Sequence, residues 1–166
     1  MTMVVALNLT APLKQDPASQ EALKGLVDNF AATVQPRIDA VLASSQLVHY
    51  ARLLVIDNRY IQVLTEFDGD PLLYTEFFRQ QLPDVFKAVF ALIEGAPSWD
   101  EIDNPDAFFR YSSSLNLRSL GEAAPGTPDN GYLFSAFGEA TVRDIQGALG
   151  QQPGGAAQPA PEEPTG

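Results

Sequence analysis

His49 is the first candidate for chemistry, because it is the only histidine in a chain that has no cysteine. It begins residues 49–71, which read HYARLLVIDNRYIQVLTEFDGDP. Two runs rich in β-branched and aromatic residues, joined at Asp57-Asn58, are typical of a β-hairpin. If that turn has two residues, His49 lies directly opposite Glu66 on one face of the hairpin.

A histidine beside a carboxylate is the arrangement of an acid/base couple, because the carboxylate holds the imidazole in one tautomer. We therefore assign His49 as a catalytic base and Glu66 as the residue that orients it. Imidazole is also a common axial ligand of haem iron, which makes haem a candidate cofactor. The structural alternative is that His49 only forms a hydrogen bond with a cross-strand glutamate.

Three further polar residues on predicted strands complete the candidate ligand-binding site. Gln62 falls on the same hairpin face as His49, and Asn8 lies in a separate predicted strand at residues 3–9. Arg52 is assigned as an anchor for an anionic ligand, with a surface salt bridge as its alternative role. No metal site is predicted, because one histidine and no cysteine leave too few of the usual ligands.

The hairpin has two faces, which we sort by the alternation of side chains along each strand. The face predicted to line the site carries His49, Ala51, Leu53, Val55, Gln62, Leu64 and Glu66. The face predicted to pack under helices carries Tyr50, Arg52, Leu54, Ile56, Ile61, Val63, Thr65 and Phe67. A β-bulge in either strand would change this assignment.

The net charge of −11 disfavours two classes of partner. Such a field repels the phosphates of nucleic acids and the anionic surfaces of membranes. The N-terminus lacks the basic lead of a signal peptide, and no run approaches the roughly 18–20 apolar residues of a membrane helix. We expect a cytoplasmic protein without nucleic-acid or membrane partners.

The remaining elements are predicted from capping residues and apolar periodicity. In residues 3–9, Met3, Val5, Leu7 and Leu9 are expected to face the core. Helices are expected to begin after Asp16, Asp70, Ser98 and Asn104, since each is a capping residue at the start of a helical pattern. Residues 132–137 (YLFSAF) are predicted to form a last strand, followed by a short helix at about residues 140–149.

The resulting order, β-α-β-β-α-β, is that of a ferredoxin-like α+β fold with an antiparallel sheet and its helices on one face. We expect one domain at residues 1–150 and a disordered, acidic, Pro/Gly-rich tail at residues 151–166. Nothing else in the chain is apolar and long enough to cover the second sheet face. A second copy of the chain is therefore the expected partner, through sheet-on-sheet pairing in a homodimer.

Residues 3–148 resemble the dimeric α/β-barrel superfamily, which includes antibiotic-biosynthesis monooxygenase-like proteins and dye-decolorising peroxidases. The resemblance rests on the strand MVVALNL, on His49-Tyr50-Ala51-Arg52 and on Phe67-Asp68-Gly69. It implies a small-molecule site in the barrel interior, oxidoreductase-like or haem-binding. Glu66-Phe67-Asp68-Gly69 lacks the first glycine of the peroxidases' GxxDG motif, so no catalytic residue is transferred from that family.

Two functions remain open from the sequence. The first is a small-molecule-binding protein or enzyme whose ligand is small and either apolar or anionic, with its site in the barrel interior. The second is a non-catalytic dimerisation or scaffold module, which the scarcity of reactive residues and the linker-like tail favour.

Overall fold

The computed structural model describes residues 3–151. Within this range the chain forms an α+β domain with a three-stranded antiparallel sheet and seven helices. The strands are β1 (Val4–Pro12), β2 (Val48–Ile56) and β3 (Tyr60–Asp68), and β3 lies between the other two. The helices are α1 (Pro17–Thr33), α2 (Gln35–Ser45), α3 (Pro71–Gln81), α4 (Pro83–Phe90), α5 (Trp99–Ile102), α6 (Pro105–Ser114) and α7 (Val142–Ala148).

The predicted helix starts are confirmed by their caps. The Asp16 carboxylate accepts a hydrogen bond from the Ser19 amide, and the Asp70 carboxylate accepts from two amides at the start of α3. The Glu101 carboxylate accepts from the Ser98 backbone amide at 2.8 Å, and the Asn104 side chain accepts from the Ala107 amide. These side chains satisfy amides that have no partner within their helix, which fixes where each helix begins.

The prediction of a strand at residues 132–137 is wrong, since no strand forms there. The free edge of β1 is occupied instead by residues 115–117, where Asn116 forms one antiparallel bridge with Leu9. The Leu117 amide donates to the Asn8 carbonyl at 2.9 Å, and the Thr10 amide donates to the Leu115 carbonyl at 2.9 Å. Residues 132–137 therefore do not pair with β1, and Phe134 is 84% exposed. A complete ferredoxin-like strand order is therefore not shown within residues 3–151.

The hairpin is confirmed, but its register differs from the prediction by one residue. Ile56 pairs with Tyr60, so the loop has the three residues 57–59 instead of two. Asp57 and Asn58 both have φ of 52°, and the Arg59 amide donates to the Ile56 carbonyl at 2.9 Å. The extra loop residue turns β3 over relative to β2, because neighbouring residues of a strand point to opposite faces.

One face of the sheet is covered by helices and forms the core. Its residues, which we call the inner face, are the odd-numbered positions of the strands: Val5, Leu7, Leu9, Ala11, Ala51, Leu53, Val55, Ile61, Val63, Thr65 and Phe67. The β1 prediction is therefore confirmed, since Val5 is 4% exposed and Leu7 and Leu9 line an interior cavity. An aromatic group beyond the sheet joins Trp99 to Phe90 and Phe108, with ring centroids 6.3 and 6.1 Å apart.

The even-numbered positions within residues 6–12, 50–56 and 60–66, which we call the outer face, face away from the helices that cover the inner face. Tyr50, Ile56 and Tyr60 on this face are 72%, 43% and 45% exposed. None of the helices within residues 3–151 has the length and apolar character that crossing a membrane requires. Apart from Gln151, the tail predicted at residues 151–166 lies outside the described residues.

Candidate functional site

A cavity of about 400 Å³ lies between the inner face of the sheet and the helices that cover it. Strand residues such as Leu9, Leu53 and Val63 form its floor, and Phe78, Val85 and Phe108 of α3, α4 and α6 contribute to its walls. Protein interiors are normally packed with few voids larger than a water molecule, so this volume marks a candidate binding site.

The cavity wall is almost entirely aliphatic and aromatic. No charged side chain lines it among the described residues. Its polar side chains are hydroxyl and amide groups: Thr65, Tyr74, Thr75, Ser112, Ser113, Asn116 and Asn130. The wall therefore favours an uncharged, mostly apolar occupant with few hydrogen-bonding groups.

Thr65 and Tyr74 form a hydroxyl pair in this wall. Thr65 Oγ1 and Tyr74 Oη are 2.9 Å apart, and Thr65 is only 2% exposed. The Tyr74 ring stacks on Phe67 with centroids 3.7 Å apart and an interplanar angle of 6°. Burial raises the pKa of Tyr74 to about 12, because the phenolate is costly away from water. The pair is therefore a fixed, neutral hydrogen-bonding point on an apolar surface.

Asparagine side chains frame one side of the cavity. Asn116 Nδ2 donates to Asn130 Oδ1 at 3.2 Å, and Asn116 Oδ1 accepts from the backbone N–H of Asn8 at 2.7 Å. Ser113 and Pro128 are the exposed residues of the described lining, so the cavity meets solvent beside this pair. These contacts tie the rim to the edge of β1.

His49 does not lie opposite Glu66, and this prediction is corrected. A β-bulge between Val48 and Tyr50 displaces His49 from the regular pairing, and Glu66 pairs with Tyr50 instead. His49 Nε2 lies 2.7 Å from Asp68 Oδ1, and it is the donor because a carboxylate only accepts. Asp68 Oδ2 also accepts from the Val142 amide at 2.7 Å, at the first turn of α7.

The His49–Asp68 pair connects the sheet to α7 through hydrogen bonds. The His49 and Asp68 side chains are 12% and 3% exposed, and neither lines the cavity. Because both oxygens of Asp68 are engaged by the protein, the pair holds α7 against the hairpin. This explains the position of His49 without a ligand.

The other predicted site residues lie on the outer face, away from the cavity. Gln62 Nε2 donates to Thr10 Oγ1 at 3.0 Å. Asn8 Nδ2 donates to the Leu117 carbonyl and to Ser119 Oγ, both at 2.9 Å. Arg52 is exposed and Glu66 half-buried. The structure therefore does not bring Asn8, Arg52, Gln62 and Glu66 together with His49 in one pocket.

Haem does not fit the residues that line this cavity. Its iron would need an axial ligand, yet His49 lies outside the wall with its Nε2 bound to Asp68. Its propionates would need cationic partners, which the described wall does not supply. No step of any mechanism is therefore assigned to haem.

No family model, curated protein or solved structure matches this chain.

The residues that line the cavity were not predicted as a site, because in the sequence they have the character of ordinary core positions. The one available signal was Thr65, a lone hydroxyl in the apolar alternation Ile61, Val63, Thr65, Phe67. Tyr74 lies in a different element, and only the fold brings it to Thr65.

Proposed function

We propose that this chain binds an apolar small molecule in the cavity between the inner face of its sheet and helices α3, α4 and α6. The observation that carries the proposal is a volume of about 400 Å³ with no charged side chain among the described lining residues. Ligand pockets in proteins have volumes of roughly 300–1,000 Å³ and mostly apolar walls with a few placed polar groups. The proposal puts the site beneath the helices and not between two copies of the chain.

Binding, and not acid/base catalysis, is the function that this wall supports best. Tyr74 is the one ionisable side chain among the described lining residues. Because its pKa is raised to about 12, it stays neutral at physiological pH and serves as a hydrogen-bonding group. A general base needs a pKa near the working pH, and the described lining does not provide one.

A pair of alanine variants tests the proposal. Ala51 lines the cavity, so Ala51→Leu fills part of the volume, whereas Ala88 is exposed on α4 and Ala88→Leu adds the same atoms to the surface. Nile red is titrated into each protein and its emission is followed. We expect saturable binding to the wild type and to Ala88→Leu, and binding at least about tenfold weaker to Ala51→Leu. Equal binding by all three proteins, or no saturable binding to the wild type, would refute the proposal.

A second candidate function is homodimerisation through the outer face, as in the dimeric α/β barrels that the sequence resembles. Tyr50, Ile56 and Tyr60 leave an apolar surface on this face. The charges of Arg52 on β2 and Glu66 on β3 balance each other on this face, although the chain carries −11 overall. A face without net charge permits two copies to meet where most of the surface would repel.

The dimer is tested by measuring mass in solution with light scattering. Tyr50 and Leu73 are almost equally exposed, at 72% and 71%, but Leu73 lies on α3 and not on the sheet. We expect a dimer for the wild type and for Leu73→Asp, and a monomer for Tyr50→Asp. A wild type that is monomeric at all concentrations tested would exclude this second function.

A further inference from the structure

The Thr65–Tyr74 pair has one more hydrogen than its own hydrogen bond uses. Each hydroxyl carries one hydrogen, so two hydroxyls bonded to each other leave one hydrogen over. Within residues 3–151, neither Thr65 Oγ1 nor Tyr74 Oη has a second hydrogen-bond partner. Both side chains line the cavity. The spare donor therefore belongs to a surface that any cavity ligand contacts.

We propose that the ligand is a neutral hydrocarbon-like molecule with one oxygen acceptor, as in a ketone, aldehyde, ether or alcohol. This oxygen accepts a hydrogen bond from whichever hydroxyl of Thr65 and Tyr74 has the spare hydrogen. This inference rests on the proposed function, because it assigns a ligand class to the same cavity. The acceptor identifies where the ligand is polar, and the aliphatic wall requires the remainder to be apolar.

The charge state of the ligand follows from its surroundings. A carboxylate in the cavity would lose its hydration without a cation in the described wall to compensate, which is costly. The field of a chain with net charge −11 adds to that cost. Because the pKa of Tyr74 is raised to about 12, its side chain is neutral at physiological pH and contributes a dipole and not an ion.

The geometry of the pair is fixed before a ligand arrives. Tyr74 is held between Phe67, on which it stacks at 3.7 Å, and Phe78, whose ring centroid is 4.8 Å away. Thr65 is held by the pairing of β3 with both neighbours, opposite Leu7 and Ala51. A donor that does not have to be ordered on binding gives selectivity at little entropic cost.

Competition against Nile red tests the ligand class on the unmodified protein. The competitors are butyrophenone, butylbenzene and phenylbutyrate, which have equal numbers of carbon atoms and differ in their oxygens. We expect the ketone to bind about three- to tenfold more tightly than the hydrocarbon, the range that one net hydrogen bond provides. The carboxylate is expected to be the weakest of the three.

Variants of the pair assign the preference to these two hydroxyls. Either Tyr74→Phe or Thr65→Val leaves one hydroxyl with its own hydrogen, so each single variant is expected to retain a preference for the ketone. The double variant removes both hydrogens, and we expect it to bind the ketone and the hydrocarbon equally. Unchanged affinity for butylbenzene, which has no oxygen, shows that its cavity is intact.

The outcomes separate this inference from the proposed function. If Nile red binds the wild type but the ketone and the hydrocarbon compete equally, the ligand class is wrong and the binding function stands. A ketone preference that persists in the double variant also overturns the assignment to Thr65 and Tyr74. If no probe binds the wild type saturably, both proposals fail.

Discussion

Replacing Asp68 by alanine removes the acceptor that joins the hairpin to α7. Two hydrogen bonds are lost together, from His49 Nε2 at 2.7 Å and from the Val142 amide at 2.7 Å. The site is nearly dry, since the Asp68 side chain is 3% exposed. We therefore expect a loss of stability much larger than that of a surface ion pair.

The size of the loss follows from the groups left without partners. A buried amide such as that of Val142 costs about 1–3 kcal/mol when it loses its acceptor, and a hydrogen bond to a carboxylate, such as that from His49, contributes about 1.5–3 kcal/mol. His49 keeps 12% exposure and can turn toward water, which favours the lower end of that range. The expected fall in the free energy of unfolding of Asp68→Ala is about 3 kcal/mol.

Urea unfolding followed by circular dichroism measures this difference. Asp39→Ala is the control, because Asp39 is exposed on α2 and alanine has a higher helix propensity, so its effect should stay within about 0.5 kcal/mol. Hydrogen exchange should also rise in residues 142–148 more than in β3. If Asp68→Ala unfolds within about 0.5 kcal/mol of Asp39→Ala and α7 stays protected, the tie between sheet and helix contributes nothing and the reasoning is refuted.

Three further predictions concern the cavity and its surroundings. Burial raises the pKa of Tyr74 to about 12, so the free energy of unfolding is unaffected below the ordinary tyrosine pKa and falls as the pH rises from there toward 12. Urea unfolding at alkaline pH measures this fall, and Tyr74→Phe, which cannot ionise, is the control. Gly131→Ala should lose clearly more thermal stability than Gly126→Ala: both glycines have positive φ, but only at Gly131 would a Cβ meet a carbonyl oxygen, at 2.0 Å. Asp70→Ala should lower the free energy of unfolding by about 1 kcal/mol in urea titrations, because α3 loses its cap; a change as small as that of Asp39→Ala would contradict it.

Local signals predicted the elements of this fold because the physics that sets them is local. Asp16, Asp70 and Asn104 satisfy amides within their own first helical turn, so a capping residue before a helical pattern was sufficient. The alternation in β1 likewise predicted which side chains face the core. The prediction for residues 132–137 was wrong, because their aromatic and apolar character did not reveal that residues 115–117 already occupy the edge of β1.

The candidate site was predicted poorly because it depends on register. The three-residue loop shifts the pairing of residues 50–56 by one position, and the bulge at His49 reverses that shift, so that Val48 pairs with Phe67. His49 therefore meets Asp68, and Gln62 and Glu66 face away from the cavity. The order of the residues does not determine whether Asp57-Asn58 closes a loop of two or three residues, so the error could not be avoided from the sequence alone.

The position of Trp99 gives this protein an optical reporter of its own interior. It is the only tryptophan in the chain, and it lies against Phe90 and Phe108, two rings that also line the cavity. A molecule that enters the cavity changes the polarity one ring away from the indole, so the emission maximum of Trp99 should move without any added label. Occupancy can then be followed by ultraviolet fluorescence in the unmodified chain, at concentrations where a dye would compete with the ligand.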